Sequence, residues 1–228
     1  MKILARTLVL AAVLCPAAVH AASFEGKVSF KMTSDGKAQD MVYNIKGDKI
    51  RLEMPGVKGM GGMILDTTKK ETTMIMDEQR MYMTMAMPDA APTAQKGKNE
   101  DVKLENTGMT ETILGYTATK YLSTAEGTTT EMWLAEGLGT FMSAGGNPMA
   151  GGRRGGGSPA PQAWERALAG KELFPLRVVG KNKSGKETFR MEATSINKQS
   201  LPESMFAPPA GYQKFDMGGM MKGMIPGR

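Results

Sequence analysis

The sequence is short of the residues on which most protein chemistry relies. Among 228 residues there is one Cys, Cys15, and one His, His20. Both lie in the first 21 residues, which read as a secretory signal peptide. Lys2 and Arg6 make a positive start, Thr7 to Cys15 is an apolar run too short to cross a bilayer, and Val19-His20-Ala21 is a small-x-small cleavage site. An uncleaved anchor would need a longer run. A lipoprotein would need a small residue before Cys15, where Leu14 stands. Cleavage after Ala21 leaves 207 residues with neither Cys nor His. That excludes a disulfide, a thiolate nucleophile, an imidazole base and a zinc site built on Cys and His.

Charge of one sign is missing too. The mature chain has 27 basic and 23 acidic side chains, interspersed along its length. No basic stripe interleaves with aromatics, so nucleic acid is not the expected partner. Arg153-Arg154 before Gly155–Gly157 reads as part of a solvated linker. No apolar run of the mature chain is long enough to span a membrane, and 41% hydrophobic with 23% charged residues fits a globular chain.

What the chain has in excess is Met, 22 residues, and Gly, 28 residues. Short alternating segments between Gly, Asp and Asn indicate antiparallel β-structure. Phe24 to Met32 alternates. In Met41 to Met54, a two-residue turn at Gly47-Asp48 sets Ile45 opposite Ile50, Tyr43 opposite Leu52 and Met41 opposite Met54 on one apolar face. A strand at Met63 to Asp66 follows a Gly/Met loop. Thr72–Met76 and Met81–Met87 form a second hairpin, which pairs Met76 with Met81 and Met74 with Met83. Parity then puts Met74, Met76, Met81, Met83 and Met85 on one surface. Further strands are expected near Val102–Thr107, Thr117–Ser123, Thr128–Ala135, Phe174–Lys181 and Glu187–Ile196, and a helix at Gln162–Ala169 capped by Gly170. The expected fold is mainly β: a curved antiparallel half-barrel of about ten strands with one or two covering helices. Residues 22–215 would form one domain, with a Gly/Pro-rich insert at 137–161 and a Met/Gly-rich tail at 216–228.

The order of several motifs resembles a periplasmic domain-of-unknown-function family related to the outer-membrane lipoprotein carriers (LolA-like). The motifs are the hairpin Tyr43 to Met54, the strand Met63-Ile64-Leu65-Asp66, the Met-rich hairpin Met76 to Tyr82, and Glu111 to Tyr116. Glu131-Met132-Trp133, Phe174-Pro175-Leu176, Leu201 to Phe206 and Pro209 to Tyr212 complete the match, over about residues 24–215. The insert at 137–161 and the tail depart from the carriers. The resemblance implies a half-open antiparallel sheet with helices over its concave side, a hollow that in relatives takes up acyl chains or other apolar groups.

Three readings of the Met residues follow. Met fills irregular apolar space and adapts to varied ligands, so Met41, Tyr43, Met54, Met74, Met76, Met81, Met83 and Met85 are the expected lining of an apolar hollow. Thioethers also prefer Cu(I) or Ag(I), which makes Met74, Met76, Met81 and Met83, with Met217, Met220, Met221 and Met224 of the tail, the alternative metal ligands. Exposed Met can also scavenge oxidants. Asp66, Asp77, Glu78, Glu111 and Glu131 form no spaced pair of the acid–base kind, and no catalytic constellation is visible. Asn182-Lys183-Ser184 fits a glycosylation acceptor and a hairpin turn equally. The expected protein is an exported, periplasmic or secreted, non-enzymatic binder. It would need no cofactor, and would take a hydrophobic small molecule or lipid, or another envelope protein.

Overall fold

The computed structural model describes residues 24–34, 36–87, 103–125, 128–142 and 163–215. The signal peptide, the Pro88–Asn99 loop, most of the insert and the tail with Met217, Met220, Met221 and Met224 lie outside the described residues.

Among the described residues, twelve strands form one open sheet: β1 (Glu25–Ser34), β2 (Lys37–Lys46), β3 (Lys49–Glu53), β4 (Gly62–Asp66), β5 (Glu71–Met76), β6 (Met81–Ala86), β7 (Lys103–Ile113), β8 (Tyr116–Ala125), β9 (Thr128–Ala135), β10 (Phe174–Lys181), β11 (Glu187–Lys198) and β12 (Gln213–Lys214). A six-residue helix, α1 (Ala163–Leu168), and one 3-10 turn (Glu203–Phe206) accompany them. The strand order is β12-β6-β5-β4-β3-β2-β1-β11-β10-β9-β8-β7. Two antiparallel meanders, β1–β6 and β7–β11, are therefore joined where β11 pairs with β1. Only β12 runs parallel to its neighbour, β6. β7 ends the sheet on the other side, so the half-barrel stays open, as the sequence leads one to expect.

Local chemistry sets these registers. Gly47 adopts φ 55°, which a two-residue hairpin turn needs at its first central position, and Ile45 meets Ile50 and Tyr43 meets Leu52 as expected. β3 ends at Glu53, so Met41 and Met54 fall just beyond the ladder. Met76 pairs with Met81 and Met74 with Met83, again as expected. The helix forms within the expected segment, and Gly170, at φ 73°, follows its end.

Two cores lie on opposite faces. The larger one occupies the inner face, the side that α1 covers. It gathers Val28, Phe30, Tyr43, Leu52, Met63, Met74, Met132, Leu134, Phe174, Leu176 and Val178 with Trp164 and Leu168 of the helix. The smaller core, on the outer face of β4 and β5, joins Ile64 and Ile75 to Leu201 and Phe206 of the C-terminal segment. That segment is strapped down along its length. The Leu201 amide donates to the Glu25 carboxylate (2.6 Å), and Lys46 reaches Glu203 (3.3 Å), as does Lys49 (2.6 Å). Further on, Arg51 Nη1 donates to the Met205 carbonyl (3.0 Å), and the Tyr212 hydroxyl donates to Asp77 (2.8 Å). The Gln213 and Phe215 amides then bond the carbonyls of Arg80 and Tyr82, which makes β12 the last strand.

Candidate binding face

One cross-strand row on the inner face runs Val28, Tyr43, Leu52, Met63, Met74, Met83 through β1–β6. Directly paired side chains in such a row have Cβ atoms about 4.5–5.5 Å apart. The row changes character along its length. At the β1–β2 end it is closed by aromatic packing. Tyr43 stacks on Phe141 (5.5 Å between centroids) and meets Phe174 edge-on (5.6 Å), while Phe141 also lies 5.8 Å from Trp164. The Tyr43 hydroxyl donates to the Met142 carbonyl (2.8 Å) and accepts from the Met142 amide (2.7 Å). Burial pushes its pKa up, so it stays protonated and holds both bonds. Tyr43 is thus the anchor of a plug made by residues 137–142 and α1.

Leu138 and Phe141, which plug the face, sit in the Gly-rich insert, where composition points only to linker. Their signal was small: two large apolar residues and Met142 among glycines.

At the β4–β6 end the lining is thioether. Met63, Met74 and Met83 are buried, whereas Met54, Met76, Met81, Met85 and Met87 are half-buried. Met85 pairs with Thr72 and shares the face of Met74 and Met83. The structure therefore brings Met74, Met76, Met81, Met83 and Met85 to one surface. Met41, buried, neighbours Tyr43 on the same face of β2, and Met54 packs beside the same core. A separate cleft of about 480 Å³ opens elsewhere, lined by Tyr121, Glu136, Gly137, Lys171, Glu172 and Leu173, with no Met among them.

Four of the five acidic residues singled out from the sequence, Asp66, Asp77, Glu111 and Glu131, are engaged. Glu131 lies between Lys181 and Lys120 (2.9 Å to Lys120). Glu111 and Glu192 both hold Arg177 at 2.9 Å, Asp66 meets Lys69, and Asp77 accepts from Tyr212. Most of these pairs form a lattice on the outer face of β7–β11, away from the Met lining. Lys181 first, then Lys120, holds the Glu131 carboxyl below its ordinary 4.5. Arg190 lowers Glu187, the Leu201 amide lowers Glu25, and Lys49 lowers Glu203. Among the described residues, no group of three or more His, Cys, Asp or Glu side chains could hold a metal ion. No helix among them is long and apolar enough to cross a membrane.

These carboxylates make a prediction about acid. Glu25, Glu131, Glu187 and Glu203 each have a lower pKa folded than unfolded, so the unfolded chain binds more protons as the pH falls. Stability should be complete above the ordinary carboxylate pKa and decline from about pH 5 to pH 3. Thermal melts over that range test it, and Glu131→Gln should flatten the decline.

Residues 24–212 match the profile of a family described as a domain of unknown function (DUF4412), and the chain belongs to that family. This meets the resemblance read from its motifs. No curated protein matches the chain. Among solved structures, an uncharacterized conserved protein from Thermus thermophilus is similar at 12% identity and a TM-score of 0.51, over 86% of this chain and 91% of that one. The likeness is one of fold. A structure of PNGF-II matches at 16% identity and TM-score 0.48 over 88% of this chain, which spans only 32% of PNGF-II. A putative outer membrane lipoprotein-sorting protein domain from Vibrio parahaemolyticus matches at 7% identity and TM-score 0.32, over 82% of this chain and 90% of that one.

Proposed function

We propose that this chain is an exported, non-enzymatic binding protein of the cell envelope, and that its Met-rich inner face receives a hydrophobic ligand. The ligand is a lipid, an acyl chain, or an apolar segment of another envelope protein. One observation carries the reading: the aromatic plug closes the inner face at β1–β2, while at β4–β6 five Met side chains on or beside that face are half-buried. The motif order that resembles the lipoprotein carriers supports it, as does the pairing of Asp66, Asp77, Glu111 and Glu131 with Lys, Arg and Tyr partners.

Affinity would come from apolar burial. An acyl segment that hides about 200 Å² would gain about 5 kcal/mol before the cost of ordering. Unbranched Met side chains repack at little cost, so the face would tolerate ligands of different shape. Mass spectrometry of an organic extract of the purified chain, together with a native spectrum after addition of a long-chain fatty acid, tests the reading. A co-purified apolar molecule or one-to-one uptake of the fatty acid is expected. A chain that carries nothing and takes up nothing would contradict it.

A further inference from the structure

We propose that the β5–β6 hairpin holds a site for a soft monovalent metal ion, Cu(I) or Ag(I), made by the thioethers of Met74, Met76, Met81 and Met83. The inference stands apart from the apolar-ligand reading, since it concerns sulfur lone pairs and not apolar area.

The geometry that carries it is a pair of adjacent rungs. Met74 lies directly opposite Met83, and Met76 directly opposite Met81, with no bulge between them. Paired Cβ atoms in each rung are about 4.5–5.5 Å apart. The two rungs are two residues apart on each strand, or about 7 Å. Four Cβ atoms thus mark the corners of a rectangle small enough for unbranched side chains to bring their sulfurs to one ion. Met63, the partner of Met74 on β4, extends the inner rung by a fifth sulfur. A gradient of access runs across the site: Met74 and Met83 are 3% exposed, whereas Met76 and Met81 are half-buried and give an ion its way in.

The chemistry of the donors fixes the class of ion. Thioether sulfur is a soft, neutral ligand that selects Cu(I) and its analogue Ag(I) over hard cations. No carboxylate or imidazole belongs to the rectangle, so Mg²⁺, Ca²⁺ and Zn²⁺ find no suitable donor set there. If Met served only as filler, Leu would serve at any of the four places.

That equivalence is the test. Met→Leu nearly conserves volume and apolar character, and such swaps usually leave a fold intact. The wild-type chain, the M74L/M76L/M81L/M83L variant and a chain ending at Phe215 should be titrated with Ag(I), and anaerobically with Cu(I) against a chromophoric chelator. Wild type and the truncated chain should each bind one ion, the Leu variant at least about 100-fold more weakly, while its circular-dichroism spectrum and thermal midpoint stay close to those of wild type. In wild type labelled with [methyl-¹³C]Met, Ag(I) should shift the methyl signals of these four residues. An unchanged metal affinity in the Leu variant, a loss of binding on truncation, or shifts confined to other Met residues would overturn the proposal. Failure of fatty-acid uptake alone would bear only on the apolar-ligand reading.

Discussion

Replacing Phe174 by Ala should cost about 3–5 kcal/mol of folding stability, the range for removing an aromatic ring from a well-packed core. Phe174 is fully buried and its ring lies 6.0 Å from Phe30, 5.6 Å from Tyr43 and 5.8 Å from Phe141. These partners come from β1, β2 and the segment after β9, so one ring ties both meanders and the plug together. The backbone around it cannot collapse easily, because Phe174 also stands in the β10–β9 ladder opposite Ala135. The cavity therefore stays open and its full cost is felt. Urea unfolding of the variant should show a lower midpoint with an unchanged slope. A loss below about 1 kcal/mol would mean that the aromatic cluster is not the joint between the meanders.

The second large effect is expected on the opposite face. Leu201→Ala and Phe206→Ala each remove a buried side chain from the small outer core over Ile64 and Ile75, and each should cost about 2–4 kcal/mol. The two sites share partners, so the double variant should lose less than the sum. The consequence is local as well as global. The strap is held further by Lys46, Lys49, Arg51 and Asp77, but these pairs are exposed or half-exposed, and such pairs contribute little each. Without its apolar feet the segment should come away from β3–β6, and β12 with it. Hydrogen exchange would report this as lost protection at the Gln213 and Phe215 amides, with β1 and β11 still protected. Unchanged protection in the double variant would show that the ion pairs and hydrogen bonds alone hold the strap.

Much of this arrangement was legible in the residues, for identifiable reasons. Gly47 supplied the one backbone conformation the β2–β3 turn needs, and period-two alternation did the rest. The four-residue turn Asp77 to Arg80 likewise fixed the parity of the Met residues on β5 and β6. Other parts had weaker signals. β7 runs on to Ile113, past its expected end, because the turn to β8 uses Leu114 at φ 50° before Gly115 at φ 86°. A Leu seldom takes that conformation, and the irregular register between Asn106 and Thr110 breaks the alternation that would have marked the strand. Leu138 and Phe141 were hidden by the glycines around them. β12 consists of Gln213 and Lys214, and its pairing depends on a strap anchored more than a hundred residues away in sequence from β6. The outer ion-pair lattice joins β7, β8, β9, β10 and β11, and no local pattern announces contacts of that range.

The candidate site divides in the same way. Its Met residues could be assigned to one surface from parity alone. Which of them are buried could not, because burial depends on packing across the sheet and parity does not report it; nor could the plug over Tyr43, whose two bonds to Met142 join residues far apart in sequence. The aromatic plug is what turns a uniform apolar face into a closed end and a Met-lined end.

The central claim is that the Met-lined end takes apolar ligands. Its most direct test is a fluorescent fatty-acid titration of the wild-type chain beside the Met81→Glu/Met85→Glu variant. Both positions are half-buried, so the charges can reach water and the fold should persist. A bound acyl chain would have to desolvate them, so affinity should fall at least about tenfold. Equal affinity in the two proteins would place the ligand elsewhere and contradict the account.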